Sequence, residues 1–280
     1  MEIIRTKNKL TDAIRSLRAV GKTIALVPTM GALHGGHISL VDLGLQNADV
    51  VIATIFVNPT QFGPNEDFSK YPRTEKEDVE KLGAAGTVIA YIPDVSQMYE
   101  DGAQTSVHVG KIGSELCGAV RPGHFDGVAT IVTKLFMQTT PDVAIFGEKD
   151  YQQLYVIRQV TRDLDIPVKI IGAPIMREAD GLAMSSRNRY LSESERKIAA
   201  TLNVILKQAI EQLHKDKNIQ KILEAAKEKL LAAGFTKVDY VELRDAKTLA
   251  PVTEIKNEAR LLAAGNIGTT RLIDNMGITL

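Results

Sequence analysis

The sequence predicts an α/β protein: an open, doubly wound parallel sheet followed by a second, smaller α+β domain. Three observations carry that expectation. Short runs rich in Val and Ile alternate with segments of helical period between residues 23 and 172. The texture changes after residue 176, where a polar, glycine-containing stretch leads into two long helical patterns. Glycines, amides, histidines, hydroxyls and charges of both signs also gather in the segments that directly follow the strand-like runs.

The strand-like runs are "TIALVPT" (23–29), "DVVIATIFV" (49–57), "TVIAYIP" (87–93), "DVAIF" (142–146) and "PVKIIG" (167–172). They are too short for helices and apolar without alternation, so they read as strands buried on both faces. Between them lie "HISLVDLGLQNA", "TEKEDVEKLGAAG", "FDGVATIVTKLFMQ" and "DYQQLYVIRQVTRDLD", all of helical period. Such alternation implies parallel strands joined by right-handed crossovers. Beyond "READGLAMSSRN", helical patterns cover 192–215 and 218–233, and short strand candidates follow at "VDYVELRD" and "ARLLAAGNIG". The expected organisation is a larger domain over 1–176, a hinge over 177–183 and a smaller C-terminal domain over 184–280.

Composition narrows the function classes. Lys plus Arg and Asp plus Glu both total 34 in 280 residues, so no net cationic field would draw the chain to nucleic acid or an anionic membrane. Any anion is met locally. The start, "MEIIRTKNKL", has scattered charges instead of the apolar core of a signal peptide, and no 18 apolar residues run together; the expectation is a cytoplasmic protein. With Cys117 the only cysteine, an intramolecular disulfide and a multi-cysteine metal site are excluded.

In an open parallel sheet, ligands bind beyond the carboxyl ends of the strands, near the point where strand order reverses. The segments expected at that rim are "PTMGALHGGH", "NPTQF", "GEKDYQQ" and "MREADGLAMSSRN". In the first, Gly31, Gly35 and Gly36 let the backbone approach a ligand, and the helix beginning near His37 offers unpaired N–H groups to an anion. His34 and His37, in or just before its first turn, are candidate donors to phosphate. The plainer reading is that they cap the helix. A metal reading has no matching Cys or carboxylate cluster behind it.

"FGEKD" places Lys149 as a mobile point charge for phosphate, with Asp150 or the backbone at Gly147 as candidates for a ribose hydroxyl. "MSSRN" offers Ser185, Ser186 and Arg187 as donors, although serine-rich turns also simply cap helices. Gln61 and Gln153 are neutral amides that both donate and accept, which suits a hydroxylated or carboxylate-bearing substrate better than a polyphosphate. "RPGHFDGV" (121–128) gives a turn followed by His124 and Phe125 before a helix, either shaping the pocket or capping that helix.

The motifs "PTMGALHGGH", "FVNPTQF", "RPGHFDGV", "FGEKDYQQL" and "GLAMSSRNRYL", in this order and spacing, closely resemble the pantothenate synthetase (pantoate–beta-alanine ligase) family, and the likeness runs on to the terminal "TRLIDN". The H-x-G-H element alone is shared with class I aminoacyl-tRNA synthetases and small nucleotidyltransferases, and supports only adenylyl chemistry. The resemblance implies a Rossmann-like nucleotide- and pantoate-binding domain with a C-terminal lid. It implies an ATP-dependent ligase joining pantoate to beta-alanine through a pantoyl adenylate, with release of AMP and pyrophosphate. Carried over residue by residue, ATP contacts fall on Met30, Gly31, Ala32, Leu33, His34, Gly35, Gly36 and His37, on Gly147, Glu148, Lys149 and Asp150, on Met176, and on Met184, Ser185, Ser186 and Arg187. Gln61 and Gln153 match residues that hold pantoate, Gln61 also lying near beta-alanine, and His37 matches the proton donor. His37, His34 and Lys149 are thus the candidate catalytic residues.

The resemblance also implies magnesium and a homodimer. "YPRTEKEDVEKL" contains acids that would lie near the metal, but phosphate oxygens and water supply much of such a shell, and no ligand is assigned. The alternative activity is a related adenylyltransferase that releases its adenylated product. From another class, a catalytically inert nucleotide-binding regulator would be expected to lose the charged donors, all of which are present here.

Overall fold

In the computed structural model, which describes residues 1–64, 66–216 and 218–279, six strands pair in parallel. They are β1 (Glu2–Ile4), β2 (Ile24–Thr29), β3 (Val50–Ile55), β4 (Ile89–Tyr91), β5 (Val143–Gly147) and β6 (Lys169–Ala173), in the sheet order β1-β4-β3-β2-β5-β6. The helices are α1 (Lys7–Ala19), α2 (Gly35–Leu45), α3 (Glu75–Ala84), α4 (Val95–Met98), α5 (Cys117–Val120), α6 (His124–Thr139), α7 (Tyr151–Asp163), α8 (Glu193–Leu213) and α9 (Ile219–Ala232).

From β2 the chain steps outward through β3 to β4, then resumes on the other side of β2 with β5 and β6. The order therefore reverses between β2 and β5. Register between these two covers only Ala25–Val143 and Leu26–Ala144, whereas β2 stays paired with β3 as far as Thr29–Ile55. Pairing at the reversal thus stops short of the carboxyl ends, which is where open sheets of this kind take ligands. Pro28, which has no N–H to contribute, lies beyond the last β2–β5 pair.

The predicted strands β2 to β5 are buried almost throughout, and Val27, Val41, Val51 and Ile145 belong to one apolar cluster that joins α2 to the sheet. β6 departs from the expectation of burial on both faces: Lys169 is exposed and Ile170 and Ile171 are half-buried. It is an edge strand, paired with β5 alone among the described residues. In this part of the chain β1, α1, α4 and α5 go beyond the elements expected. β1 has only three residues, and α1 buries just Leu10 and Ile14 among charged neighbours.

The chain divides into two units, Met1–Glu148 with Val156–Pro174, and Lys149–Tyr155 with Ile175–Leu280. In the second, α8 and α9 cover an antiparallel sheet of β7 (Lys237–Asp245), β8 (Ala259–Ile267) and β9 (Thr270–Ile278), in that order. Leu202, Leu206, Leu230, Leu243 and Leu261 are buried in its core. The start of α8 is fixed by a capping box: Glu195 N–H donates to Ser192 Oγ at 3.3 Å, and Ser192 N–H to Glu195 Oε2 at 2.8 Å. β9 escapes the sequence pattern because its buried positions include Asp274 and Asn275. Residues 177–183 form an antiparallel hairpin within this unit, bridged at Arg177–Ala183 and closed outside by Met184 N–H on the Met176 carbonyl at 3.0 Å.

Candidate functional site

The segment between β2 and α2 makes a double turn. Gly31 has φ +83° and Ala32 φ +52°, both in the left-handed region. This turns the amides of Ala32 and Leu33 onto one carboxylate: Ala32 N–H donates to Asp78 Oδ2 at 2.8 Å and Leu33 N–H to Asp78 Oδ1 at 2.7 Å. Thr74 Oγ1 donates to the same carboxylate at 3.1 Å, and Lys81 Nζ donates to the Leu33 carbonyl at 2.9 Å. Asp78 is fully buried. Position 31 is glycine for two reasons, its φ and its surroundings, since a Cβ there would lie 3.1 Å from both Asp78 Oδ2 and Ile55 Cγ2.

α2 begins at Gly35, two residues before His37, with His34 as its N-cap. The two histidines cap it reciprocally. His34 Nδ1 accepts from Gly36 N–H at 3.1 Å, and His37 Nδ1 accepts from His34 N–H at 3.3 Å. The rings lie 4.1 Å apart between centroids. Part of the amide-donor set expected for an anion is therefore satisfied by the imidazoles themselves. An Nδ1 that accepts a main-chain proton cannot also hold one, so the neutral form of each ring carries its hydrogen on Nε2. Capping and phosphate donation use different nitrogens and are compatible.

Gln61 ends a short helical turn, Pro59–Gln61, after β3, and is buried. Its Nε2 lies 3.2 Å from Met30 Sδ, and its Oε1 accepts from Asn58 Nδ2 at 3.1 Å. The loops after β2 and β3 thus meet, as the rim rule expects. Asn58 is itself held by Tyr99 Oη, which donates to Oδ1 at 2.8 Å; burial pushes the Tyr99 phenol up and keeps it a donor.

The "RPGHFDGV" segment underpins this turn. His124 Nδ1 donates to the Gln61 carbonyl at 2.8 Å and its Nε2 accepts from Arg121 at 2.9 Å, while Arg121 grips Glu66 in a two-bond fork at 2.7 and 2.6 Å. Burial alone would raise the Glu66 pKa, but the Arg121 bonds outweigh it and hold the carboxyl below its ordinary value. Gly127 lets α6 approach the turn: a Cβ there would sit 2.4 Å from the Thr60 carbonyl oxygen.

In the second unit, Lys149 Nζ lies 3.9 Å from Asp150 Oδ2, and the Lys149 carbonyl accepts from Asn275 Nδ2 at 2.9 Å. Arg260 bonds Asn275 Oδ1 at 2.7 Å and stacks over the Tyr151 ring at 4.0 Å. The neighbouring Asp274 takes both guanidinium arms of Arg177, at 2.7 and 3.0 Å. Two adjacent residues of β9 therefore brace both the Lys149 turn and the hairpin that bears Met176 and Met184. Ser185 Oγ accepts from Arg187 N–H at 3.3 Å and caps the turn Ser186–Tyr190. Ser186 is buried, Arg187 half-buried, and Gln153 half-buried on the first turn of α7. Gly147 ends β5 opposite Ala173, and Glu148 opens the turn that follows.

Sequence reasoning missed Asn58, Asp78, Arg121 and Asn275 as site-shaping residues. A signal existed for Asp78. It lies four residues before Leu82 on α3, and both are buried, so it is an acid in phase with an apolar position. Among the described residues, no group of three or more His, Cys, Asp or Glu is arranged to hold a metal ion; of the acids of "YPRTEKEDVEKL", Asp78 accepts from two main-chain amides.

Known proteins resemble this chain over its full length. The model of the family described as pantoate-beta-alanine ligase matches residues 2–277. The chain is 53% identical to the pantothenate synthetase of Sphingopyxis alaskensis, over 99% of this chain and 100% of that one. It is 52% identical to that of Paramagnetospirillum magneticum, over 99% and 98%. The crystal structure of pantothenate synthetase from Thermus thermophilus superposes with a TM-score of 0.93 at 42% identity, covering 99% of each chain. The Francisella tularensis pantoate-beta-alanine ligase, solved with beta-gamma ATP and beta-alanine, gives 0.83 at 36%, covering 99% of this chain and 97% of that one. With a parallel sheet reversing at β2 and β5, paired histidines capping the helix at that reversal, and full-length likeness to these proteins, the chain belongs to the pantoate-beta-alanine ligase family.

Proposed function

We propose that the protein condenses pantoate with beta-alanine, driven by ATP cleavage to AMP and pyrophosphate. The observation that carries this reading is the His34–His37 pair at the N-terminus of α2, on the crevice side of β2 and next to the Met30–Gln61 contact. A carboxylate is a poor acylating agent because oxide is a poor leaving group. In the first step a pantoate oxygen attacks the α-phosphorus of ATP and the bond to the bridging oxygen breaks, releasing pyrophosphate and leaving a pantoyl adenylate. In the second the amine of beta-alanine attacks the acyl carbon, the C–O bond to AMP breaks, and the nitrogen loses a proton.

Negative charge grows on the α-phosphate and the departing pyrophosphate. His34 and His37 would donate to it from Nε2, joined by Lys149, Arg187 and the positive end of α2. The rest of the Met30–His37 segment, with Gly147, Glu148 and Asp150 and with Met176, Met184, Ser185 and Ser186, completes the proposed ATP contacts. Gln61 and Gln153 would orient pantoate. A magnesium ion accompanying ATP would be held chiefly by phosphate oxygens and water. A cytoplasmic homodimer is part of the same proposal; no helix among the described residues is long and apolar enough to cross a membrane.

The test is mass spectrometry of products from ATP, pantoate and beta-alanine with each omitted in turn, alongside exchange of labelled pyrophosphate into ATP. Exchange without beta-alanine, and only with pantoate, is expected. ADP and phosphate as products, or pantoate-independent exchange, would refute the mechanism. An adenylated product that persists when beta-alanine is added would favour the adenylyltransferase alternative.

A further inference from the structure

Asp78 has no part in the chemistry just described, yet the loop that carries Met30 to His34 closes on it. Two successive residues in the left-handed region are unusual, and at Ala32 the conformation is strained because its Cβ crowds the backbone. Something must repay that strain. The two bonds from Ala32 and Leu33 to a fully buried carboxylate are charge-assisted, and the strain is what aims both amides at it. Thr74 orients the carboxylate, and Lys81, one turn further along α3, holds the carbonyl of Leu33. The next residue is His34, whose N–H and ring make the reciprocal cap with His37.

We propose that Asp78 is a positioning residue for ATP: by anchoring Ala32 and Leu33 it sets the register at which the paired histidines cap α2 and present their Nε2 hydrogens. This rests on the ligase reading above. The amides of Ala32 and Leu33 are turned to Asp78 and those of Gly36 and His37 to His34, so this segment serves as a frame and phosphate is met chiefly by side chains and the positive end of α2. Pantoate, oriented by Gln61 from the loop after β3, depends much less on this anchor.

The test is Asp78→Asn, which keeps shape and one acceptor but sets an N–H₂ group against a main-chain amide. We expect KM for ATP in the pantoate-dependent exchange to rise at least tenfold, with KM for pantoate within about twofold of normal. Hydrogen exchange of the Ala32 and Leu33 amides should speed up while the amides of β2 and β3 stay protected. Equal rises in both KM values, or normal kinetics with those two amides still protected, would overturn the proposal. If Asp78→Asn does not fold, Thr74→Ala loosens the carboxylate with less damage, and the same selective loss toward ATP is expected at smaller size; its absence overturns the proposal. Lack of exchange in the unsubstituted protein would refute the ligase reading instead, and amide protection would still judge the anchor.

Discussion

The side-chain amide of Asn275, five residues from the C-terminus, donates to the main-chain carbonyl of Lys149 across 126 positions of sequence, at 2.9 Å. Its carbonyl oxygen is occupied by Arg260 at 2.7 Å. Asn275→Ala removes a buried residue with two such partners, so a stability loss of about 1–3 kcal/mol is expected, together with lower turnover because the Lys149 turn loses its brace. Lys149→Ala should lower turnover and leave thermal stability nearly unchanged. Thermal melts of both variants beside adenylate formation check this, and an unstable Lys149→Ala would assign the lysine a structural role.

The reciprocal cap gives a way to separate helix capping from chemistry at His34. Asparagine ranks with the best N-caps, so His34→Asn should keep an acceptor for Gly36 N–H while removing the ring donor. The expected result is a melting temperature close to normal with adenylate formation reduced about a hundredfold or more. His34→Ala should lose the same activity and also about 1 kcal/mol of helix stability. Normal turnover in His34→Asn would reduce this histidine to a cap.

Much of this was legible in the sequence because the signals were local. Buried parallel strands announce themselves as unbroken apolar runs, and β2 to β5 fall inside the runs at 23–29, 49–57 and 87–93 or, for β5, run one residue past 142–146. Likewise, the H-x-G-H element stands between a strand and a helix, where a ligand is expected. What stayed hidden depends on long-range polar contacts. Asp78 reaches back 46 residues to Ala32, and Arg121 reaches 55 to Glu66. A buried polar residue interrupts the very periodicity by which strands and helices are recognised, as Asp274 and Asn275 do in β9. His124 was legible as a candidate, but only the fold decides between its two roles: it donates to the Gln61 carbonyl.

The Glu66–Arg121 pair predicts an acid-dependent stability. The Glu66 carboxyl is held below its ordinary pKa of 4.5 despite the opposing effect of burial. A carboxyl depressed in the folded state contributes stability that is complete above its unfolded pKa and is lost as pH falls through the folded one. Glu66→Gln should therefore melt at lower temperature than the unsubstituted protein between about pH 6 and 8, and the gap should close as the pH is taken down past 4.5. A gap that is the same at every pH would mean that packing, and not the charge, is what glutamate supplies there.

Gly127 tests whether the turn that bears Gln61 is held in place by α6. An alanine Cβ would stand 2.4 Å from the Thr60 carbonyl oxygen and 2.8 Å from Gln61 Cα. Both are main-chain atoms, so no side-chain rotation relieves the overlap. Either the turn or the helix must shift, which costs about 1–3 kcal/mol for an overpacked site. The turn is the weaker partner, being a single short helical turn, whereas α6 runs from His124 to Thr139 with most of its residues buried. Its displacement would also break the bond from Asn58 to the Gly127 carbonyl, 3.2 Å long. Gly127→Ala is thus expected to lose stability and to raise KM for pantoate, with ATP binding measured alone nearly unchanged. Gln61→Ala should give the pantoate defect with a smaller stability loss. If Gly127→Ala is destabilised but binds pantoate normally, the helix has moved instead, and Gln61 is positioned by Asn58 and Met30 without help from α6.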